Sequence, residues 1–257
     1  MRPVLALDHL TIPIWREGLF ALERAALARD PIWRGDGVRR GSGQPVLLIP
    51  GFLAGDISLG WMAQWLKRIG HRPCAAGIRA NVDCTTRAVE RLERQLDELA
   101  DRHGRSVAMV GQSRGGAMAR ILAVRRPDLI DRIVCLGSPL VDQFAVHPYV
   151  RIQVTAVALL GTIGLPGVFS HRCRNSCCAQ ANDDLVAAFP DDVQFTSVYS
   201  RSDGIVNWRS CLDPGARHVE VRSTHCGMSV NPAVYAVVAD ALATEAAGAQ
   251  ADERLAA

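Results

Sequence analysis

The chain has 257 residues, 49% of them hydrophobic, enough to bury a full core in one large domain. Its formal charge is only +3, with 29 basic residues scattered among 26 acidic ones, and no basic block or interleaved aromatic stripe offers a nucleic-acid surface. Every basic residue but Lys67 is arginine, which reflects coding composition and not a binding role.

Apolar runs alternate with helical patterns in the order expected of crossover units on a mostly parallel sheet, so the predicted class is α/β. Residues 1–43 read as a helical or extended lead-in. A first strand at 46–49 precedes a helical pattern over 59–69. Val89, Leu92, Leu96 and Leu99 then recur at helical spacing on a charged segment, predicting a helix that covers one sheet face. A second strand at 107–110 leads into helix 117–124, and a third strand follows at 133–136. Over 140–192 the strand pattern lapses. Within this stretch 154–169 is strongly apolar but interrupted by Gly161, Gly164, Pro166 and Gly167, and it is shorter than the ~20 residues of a membrane span. A helical cap is expected there, with no transmembrane segment. Strands return at 193–199 and 218–222, a closing helix spans 232–242, and the Ala-rich, polar residues 245–257 read as a flexible tail.

The second of these strands runs into Gly111-Gln112-Ser113-Arg114-Gly115 and then directly into a helix. Glycines on both sides of a serine let a strand turn sharply into a helix whose free amides point at the hydroxyl, the pattern of a nucleophile elbow. A serine hydroxyl is a poor nucleophile at neutral pH and needs a histidine to take its proton and an acid to orient that histidine. Asp203, in Ser202-Asp203-Gly204 after a late strand, and His225, in Thr224-His225-Cys226 between the last strand and the closing helix, are the leading candidates. Asp142 is an alternative acid and His218 an alternative base. Acyl transfer further requires donors where negative charge develops on a carbonyl oxygen. The turn Pro50-Gly51-Phe52 supplies the Phe52 amide, and the Arg114 amide beside Ser113 supplies a second.

With these elements in the order Ser, Asp, His, the chain resembles the α/β-hydrolase superfamily over about 45–242, and within it the bacterial lipases and esterases. The resemblance implies a mostly parallel sheet flanked by helices with a cap or lid at 140–192. It also implies Ser113 as nucleophile, His225 as general base and acid, Asp203 as orienting acid, and the Phe52 and Arg114 amides as oxyanion hole. The expected activity is cleavage of carboxylic esters through an acyl-enzyme, with no cofactor and no metal. The substrate expected is a small-molecule ester with an aliphatic acyl chain. Two features depart from the family: Pro50 stands where many relatives have histidine, and Arg114 replaces a smaller or uncharged neighbour of the serine. An acyltransferase using the same triad, and a non-catalytic binder of a small apolar ligand, are the alternatives. Oligomeric state is left open.

Eight cysteines make an even set. The resemblance to secreted lipases implies a Cys211–Cys226 disulfide joining the loops of Asp203 and His225, and Cys74 with Cys84 is a further pair. Cys173, Cys177 and Cys178 lie close to His171, but their spacing matches no standard zinc pattern, so a disulfide or free thiols are expected in the cap. Residues 1–8 lack the features of a signal peptide, which points to the cytoplasm, whereas an even cysteine count would suit a secreted or periplasmic protein.

Overall fold

The computed structural model describes residues 13–174 and 176–243, so the first part of the lead-in and the expected tail at 245–257 lie outside the described residues. Six parallel strands form one sheet in the order β2-β1-β3-β4-β5-β6. They are β1 (Pro45–Ile49), β2 (Arg72–Ala75), β3 (Val107–Gln112), β4 (Ile130–Leu136), β5 (Gln194–Tyr199) and β6 (Arg217–Glu220). Every residue of β1 and β3 is buried, as a parallel sheet covered on both faces requires. Alternate residues of the inner strands divide between the two faces.

On one face Leu47, Ile49, Met109, Ile133 and Phe195 pack beneath α4 (Thr85–His103) and α5 (Arg114–Arg125). The predicted stripe of Val89, Leu92, Leu96 and Leu99 is the buried side of α4. On the other face Val46, Leu48, Val110, Val134 and Val198 meet α1 (Phe20–Arg29), α2 (Pro31–Arg34), α3 (Gly60–Arg68) and α8 (Pro232–Ala243). Trp65 of α3 is fully buried there and donates its indole N–H to the Ile32 carbonyl at 2.7 Å, so the core absorbs this ring with its polar atom satisfied.

Sequence periodicity misses two elements. β2 is a four-residue edge strand, Arg-Pro-Cys-Ala, whose ends are exposed and whose proline is tolerated only at an edge. Helix α1 buries only Leu27 and carries almost no amphipathic pattern.

Between β4 and β5 the chain forms α6 (Pro148–Thr162), a 3₁₀ turn (His171–Arg174) and α7 (Ala179–Val186). The last of these belongs to the body of the fold: Ala181 and Leu185 join the core with α4 and α5, and the buried Arg120 of α5 donates to the Asp184 carbonyl at 3.0 Å. Helix α6 is different, burying only Ala158 and exposing Tyr149, Ile152, Leu159 and Leu160. Among the described residues no helix is long and apolar enough to cross a membrane.

Candidate active site

Ser113 joins β3 to α5 with φ 53° and ψ −122°, a conformation that costs a residue with a β-carbon roughly 1–3 kcal/mol. The flanking glycines allow it. A β-carbon on Gly115 would lie 2.7 Å from the Pro50 carbonyl oxygen, and one on Gly111 would lie 2.6 Å from the Cα of Gly116. The helix can therefore start hard against β1 and β3 only because those side chains are missing. The Ser113 amide donates to the Leu136 carbonyl at 2.8 Å and ties the turn to β4.

Beside Ser113 runs the turn after β1. A β-carbon on Gly51 would sit 3.2 Å from the Ser113 Cβ and 3.8 Å from its Oγ. Asn81 donates to the Pro50 carbonyl at 2.7 Å and holds this turn in place. Leu53, two residues beyond Gly51, has φ 59°; it and Ser113 are the two non-glycine residues with positive φ among the described residues. Both strained positions thus border one point at the carboxyl ends of β1 and β3. At the head of α5 the amides of Gly116 and Ala117 turn back to the Ser113 carbonyl, and that of Arg114 lies in the first turn, where a helix supplies no acceptor.

The structure brings Asp203 and His225 together. His225 Nδ1 lies 2.7 Å from Asp203 Oδ2, and both side chains are buried. Asp203 Oδ1 accepts the amides of Ile205 and Val206 at 2.8 and 2.7 Å, so both carboxylate oxygens are engaged and the acid has one orientation. Gly137, at the end of β4 with φ 55°, makes room for the pair: a β-carbon there would be 3.1 Å from both Asp203 Oδ2 and His225 Nδ1. Gln112, the residue before Ser113, donates from Nε2 to the His225 carbonyl at 3.0 Å, which fixes the histidine loop against the serine turn. Burial opposes the charged imidazolium, but the Asp203 carboxylate, its hydrogen bond and Glu17 outweigh it and hold His225 above the usual imidazole value.

The alternative candidates lie elsewhere. His218, on β6, hydrogen-bonds through Nε2 to the Asp213 carbonyl at 2.7 Å, and Asp142 accepts the Phe144 amide at 2.8 Å in its own turn. Sequence reasoning missed two carboxylates from the lead-in. Glu17 accepts the amides of Gly204, His225 and Cys226 at 2.8–2.9 Å, joining the Asp203 and His225 loops. Glu23 accepts from Thr224 N at 2.8 Å, Ser223 Oγ at 2.6 Å and Asn231 Nδ2 at 2.7 Å. Nothing local marks these two: their partners lie about two hundred positions away.

The expected disulfides are not formed. All eight cysteines are free. Cys211 is buried with Val146 and Val206, whereas Cys226 is exposed beside Glu17, so the two sulfurs serve different environments. Cys74 Sγ turns to the Arg72 carbonyl, and Cys84 lies instead against Cys177 and Cys178. His171 is exposed and uses its amide on Thr162 Oγ1 at 3.2 Å.

A parallel sheet with a strained serine turn at the carboxyl end of β3, and an Asp–His pair on the loops after β5 and β6, is one known architecture. The sequence profile of the family described as alpha/beta hydrolase fold matches residues 44–156. The chain has the α/β-hydrolase fold. Solved structures with this fold that resemble it include a lipase, BlEst2, from Bacillus licheniformis, 14% identical, covering 81% of this chain and 96% of that one with a TM-score of 0.58. The monoacylglycerol lipase of Paleococcus ferrophilus is 16% identical over 79% of this chain and 96% of its own, with a TM-score of 0.57. An esterase from Exiguobacterium antarcticum is likewise 16% identical, over 79% and 93%, with a TM-score of 0.53. No curated protein matches the sequence.

Proposed function

We propose that this α/β-hydrolase-fold protein is a serine hydrolase that cleaves carboxylic esters through an acyl-enzyme. The observation that carries this reading is the buried 2.7 Å Asp203–His225 bond on a loop tied by Gln112 to the strained Ser113 turn. A binding site needs no such arrangement, whereas a serine nucleophile needs each part of it. In this mechanism His225 takes the hydroxyl proton as Ser113 attacks the ester carbonyl. Asp203 keeps Nδ1 protonated and stabilises the imidazolium that results. The developing oxyanion accepts hydrogen bonds from the Phe52 and Arg114 amides, each worth roughly 3 to 4 kcal/mol in the transition state. His225 then returns its proton to the leaving alcohol, and water, activated by the same histidine, releases the acid.

An ester with an aliphatic acyl chain suits the surroundings. The segment leading to α6 is stitched to the Asp203 loop by the Asn207 amide on the Ala145 carbonyl at 2.8 Å and the His147 amide on the Ile205 carbonyl at 2.7 Å. Along it Phe144, Tyr149 and Ile152 expose apolar surface, as does Leu53 in the turn after β1. We read 140–178 as the cap of the acyl site.

Labelling with a fluorophosphonate probe tests the reading, with peptide mapping of the wild type and of Ser113→Ala, followed by turnover of p-nitrophenyl esters of increasing chain length. Modification at Ser113 with ester turnover is expected. A folded wild type that neither labels nor hydrolyses any ester of the series overturns it.

A further inference from the structure

Four cysteine sulfurs that the catalytic proposal does not use converge beside α4. Cys84 caps the start of that helix, Cys173 lies in the 3₁₀ turn, and Cys177 and Cys178 precede α7. Their separations are 3.2 Å for Cys173–Cys177, 3.4 Å for Cys84–Cys178, 3.8 Å for Cys84–Cys177 and 4.0 Å for Cys177–Cys178. All four sulfurs lie within 4.8 Å of one another.

These distances discriminate among the uses of four cysteines. A disulfide would bring two sulfurs to about 2.05 Å. A cubane cluster puts each thiolate on a different iron and spreads the sulfurs wider than this. A single ion with four thiolates at about 2.3 Å sets the edges of its tetrahedron at about 3.8 Å, inside the observed range. Ordinary core packing does not account for the group either: Cys84 and Cys178 are buried, but Cys173 is half-buried and Cys177 exposed.

Polar and charged groups line the four sulfurs. The Ser170 amide donates to Cys173 Sγ at 3.5 Å. Donors of this kind orient metal thiolates and offset their charge. One divalent ion with four thiolates carries two net negative charges, and two guanidinium groups face them. Arg114 bonds to the carbonyls of Asn81 and Asp83 at 2.7 and 2.5 Å and to Thr85 Oγ1 at 3.2 Å, in the field of Cys84, Cys173 and Cys178. Arg87, paired with Asp83 at 2.7 Å, lies in the field of Cys84 and Cys173.

We propose that Cys84, Cys173, Cys177 and Cys178 form a structural tetrahedral zinc site that fastens the 170–178 segment to the loop before α4. Soft sulfur donors in tetrahedral array favour zinc over harder divalent ions, and a closed set of four protein ligands leaves no position for substrate. The ion would sit at a seam already begun by the Phe169 amide on the Val82 carbonyl and by Thr86 Oγ1 on the Cys177 carbonyl, both at 2.7 Å. It would also back the loop at 81–85 on which the Arg114 side chain rests, one residue after Ser113. The unusual arginine beside Ser113 then has a purpose, as counter-charge to the site.

The test is metal analysis of the whole chain, purified in reducing buffer without chelator. One zinc per chain is expected. Replacement by Co(II) should give near-ultraviolet thiolate charge-transfer absorption and the intense visible bands of tetrahedral cobalt. Cys84→Ser with Cys178→Ser should lose both signals, while Cys74→Ser, outside the cluster, keeps them. Reduced, folded wild type that holds no stoichiometric zinc and gives no tetrahedral cobalt spectrum overturns the proposal, as does peptide mapping that finds these four cysteines joined as disulfides. Because the wild-type metal content and cobalt spectrum decide the matter, a serine variant that fails to fold does not rescue it. None of these readouts depends on esterase activity.

Discussion

The loop that carries His225 and the segment that carries α6 lie on either side of the Asp203 loop and are held by opposite means. The first is fixed by charge and backbone: Glu17 and Glu23 take up its amides and hydroxyls, Gln112 takes its carbonyl, and Asp203 takes the ring itself. The second has one buried residue in a fifteen-residue helix and exposes large apolar side chains. It is anchored at its start by backbone bonds to residues 205–207 and at its end by the Phe169 amide on the Val82 carbonyl and by Thr86 Oγ1 on the Cys177 carbonyl, where the proposed zinc site lies. Groups that must hold a fixed geometry are over-determined by hydrogen bonds. The apolar surface of the proposed cap is left uncovered and secured at its two ends.

Breaking the rigid side should have the largest effect. Asp203→Asn keeps the size of the side chain but removes the charge and offers the wrong hydrogen bond to Nδ1; kcat should fall about 10³–10⁴-fold, with KM nearly unchanged. Steady-state kinetics on one soluble ester measure this, and a fall of less than tenfold would mean that another acid serves His225.

Gly137→Ala is next. Its φ of 55° costs an L-residue roughly 1–2 kcal/mol. The new methyl would also press on the Asp203–His225 pair at 3.1 Å. Both thermal stability and kcat should drop together, and a loss of stability at full activity would show that the pair tolerates the contact.

On the other side, a chelator should lower the thermal midpoint by several degrees, since whatever binds only the folded chain stabilises it. The effect on kcat should be far smaller than that of Asp203→Asn. An unchanged midpoint in chelator with zinc demonstrably removed would sever the proposed clamp from stability.

Glu17→Gln sharpens the contrast most finely. The rise of kcat/KM with pH reports the loss of a proton from His225 in the free enzyme, because only neutral imidazole can act as base. Its folded value lies above the usual 6.5, so the acid limb should fall above that pH. The stability term has the opposite sense. Stabilisation of the protonated imidazole is fully present below the unfolded value and is lost as pH rises through the raised folded value. Removing the Glu17 charge should move the acid limb to lower pH, with only a few-fold change in kcat. A pH–rate profile identical to wild type would leave Glu17 a purely structural tie.

Much of this was legible in the chain. The residues 107–115 announce a strand, a sharp turn and a helix because glycine placement and local apolarity dictate the backbone there. The α4 stripe declares its buried face by period alone. Strand ends were read within a few residues, except that β4 begins at Ile130, ahead of the expected 133, where the polar pair Asp131-Arg132 masks it. Arg132 is nonetheless buried and donates to the Ala241 carbonyl at 3.0 Å. The placement of Ser113, Asp203 and His225 just after β3, β5 and β6 is also readable, since strand-end loops of a parallel sheet all open on one edge.

Tertiary structure alone decided the rest. That Glu17 and Glu23 brace the histidine loop depends on the lead-in folding back across about two hundred residues, for which no local pattern exists. The cysteine partners were misread for the same reason. The resemblance to secreted lipases implies Cys211 with Cys226, and Cys74 with Cys84 is a further expected pair, but pairing depends on where helices end in space. The start of α4 and the turn before α7 bring Cys84 to Cys177 and Cys178 across 93 and 94 positions. Local sequence fixes backbone conformation through sterics and burial. Which distant side chains then share a site follows only once the sheet has set the positions of its loops.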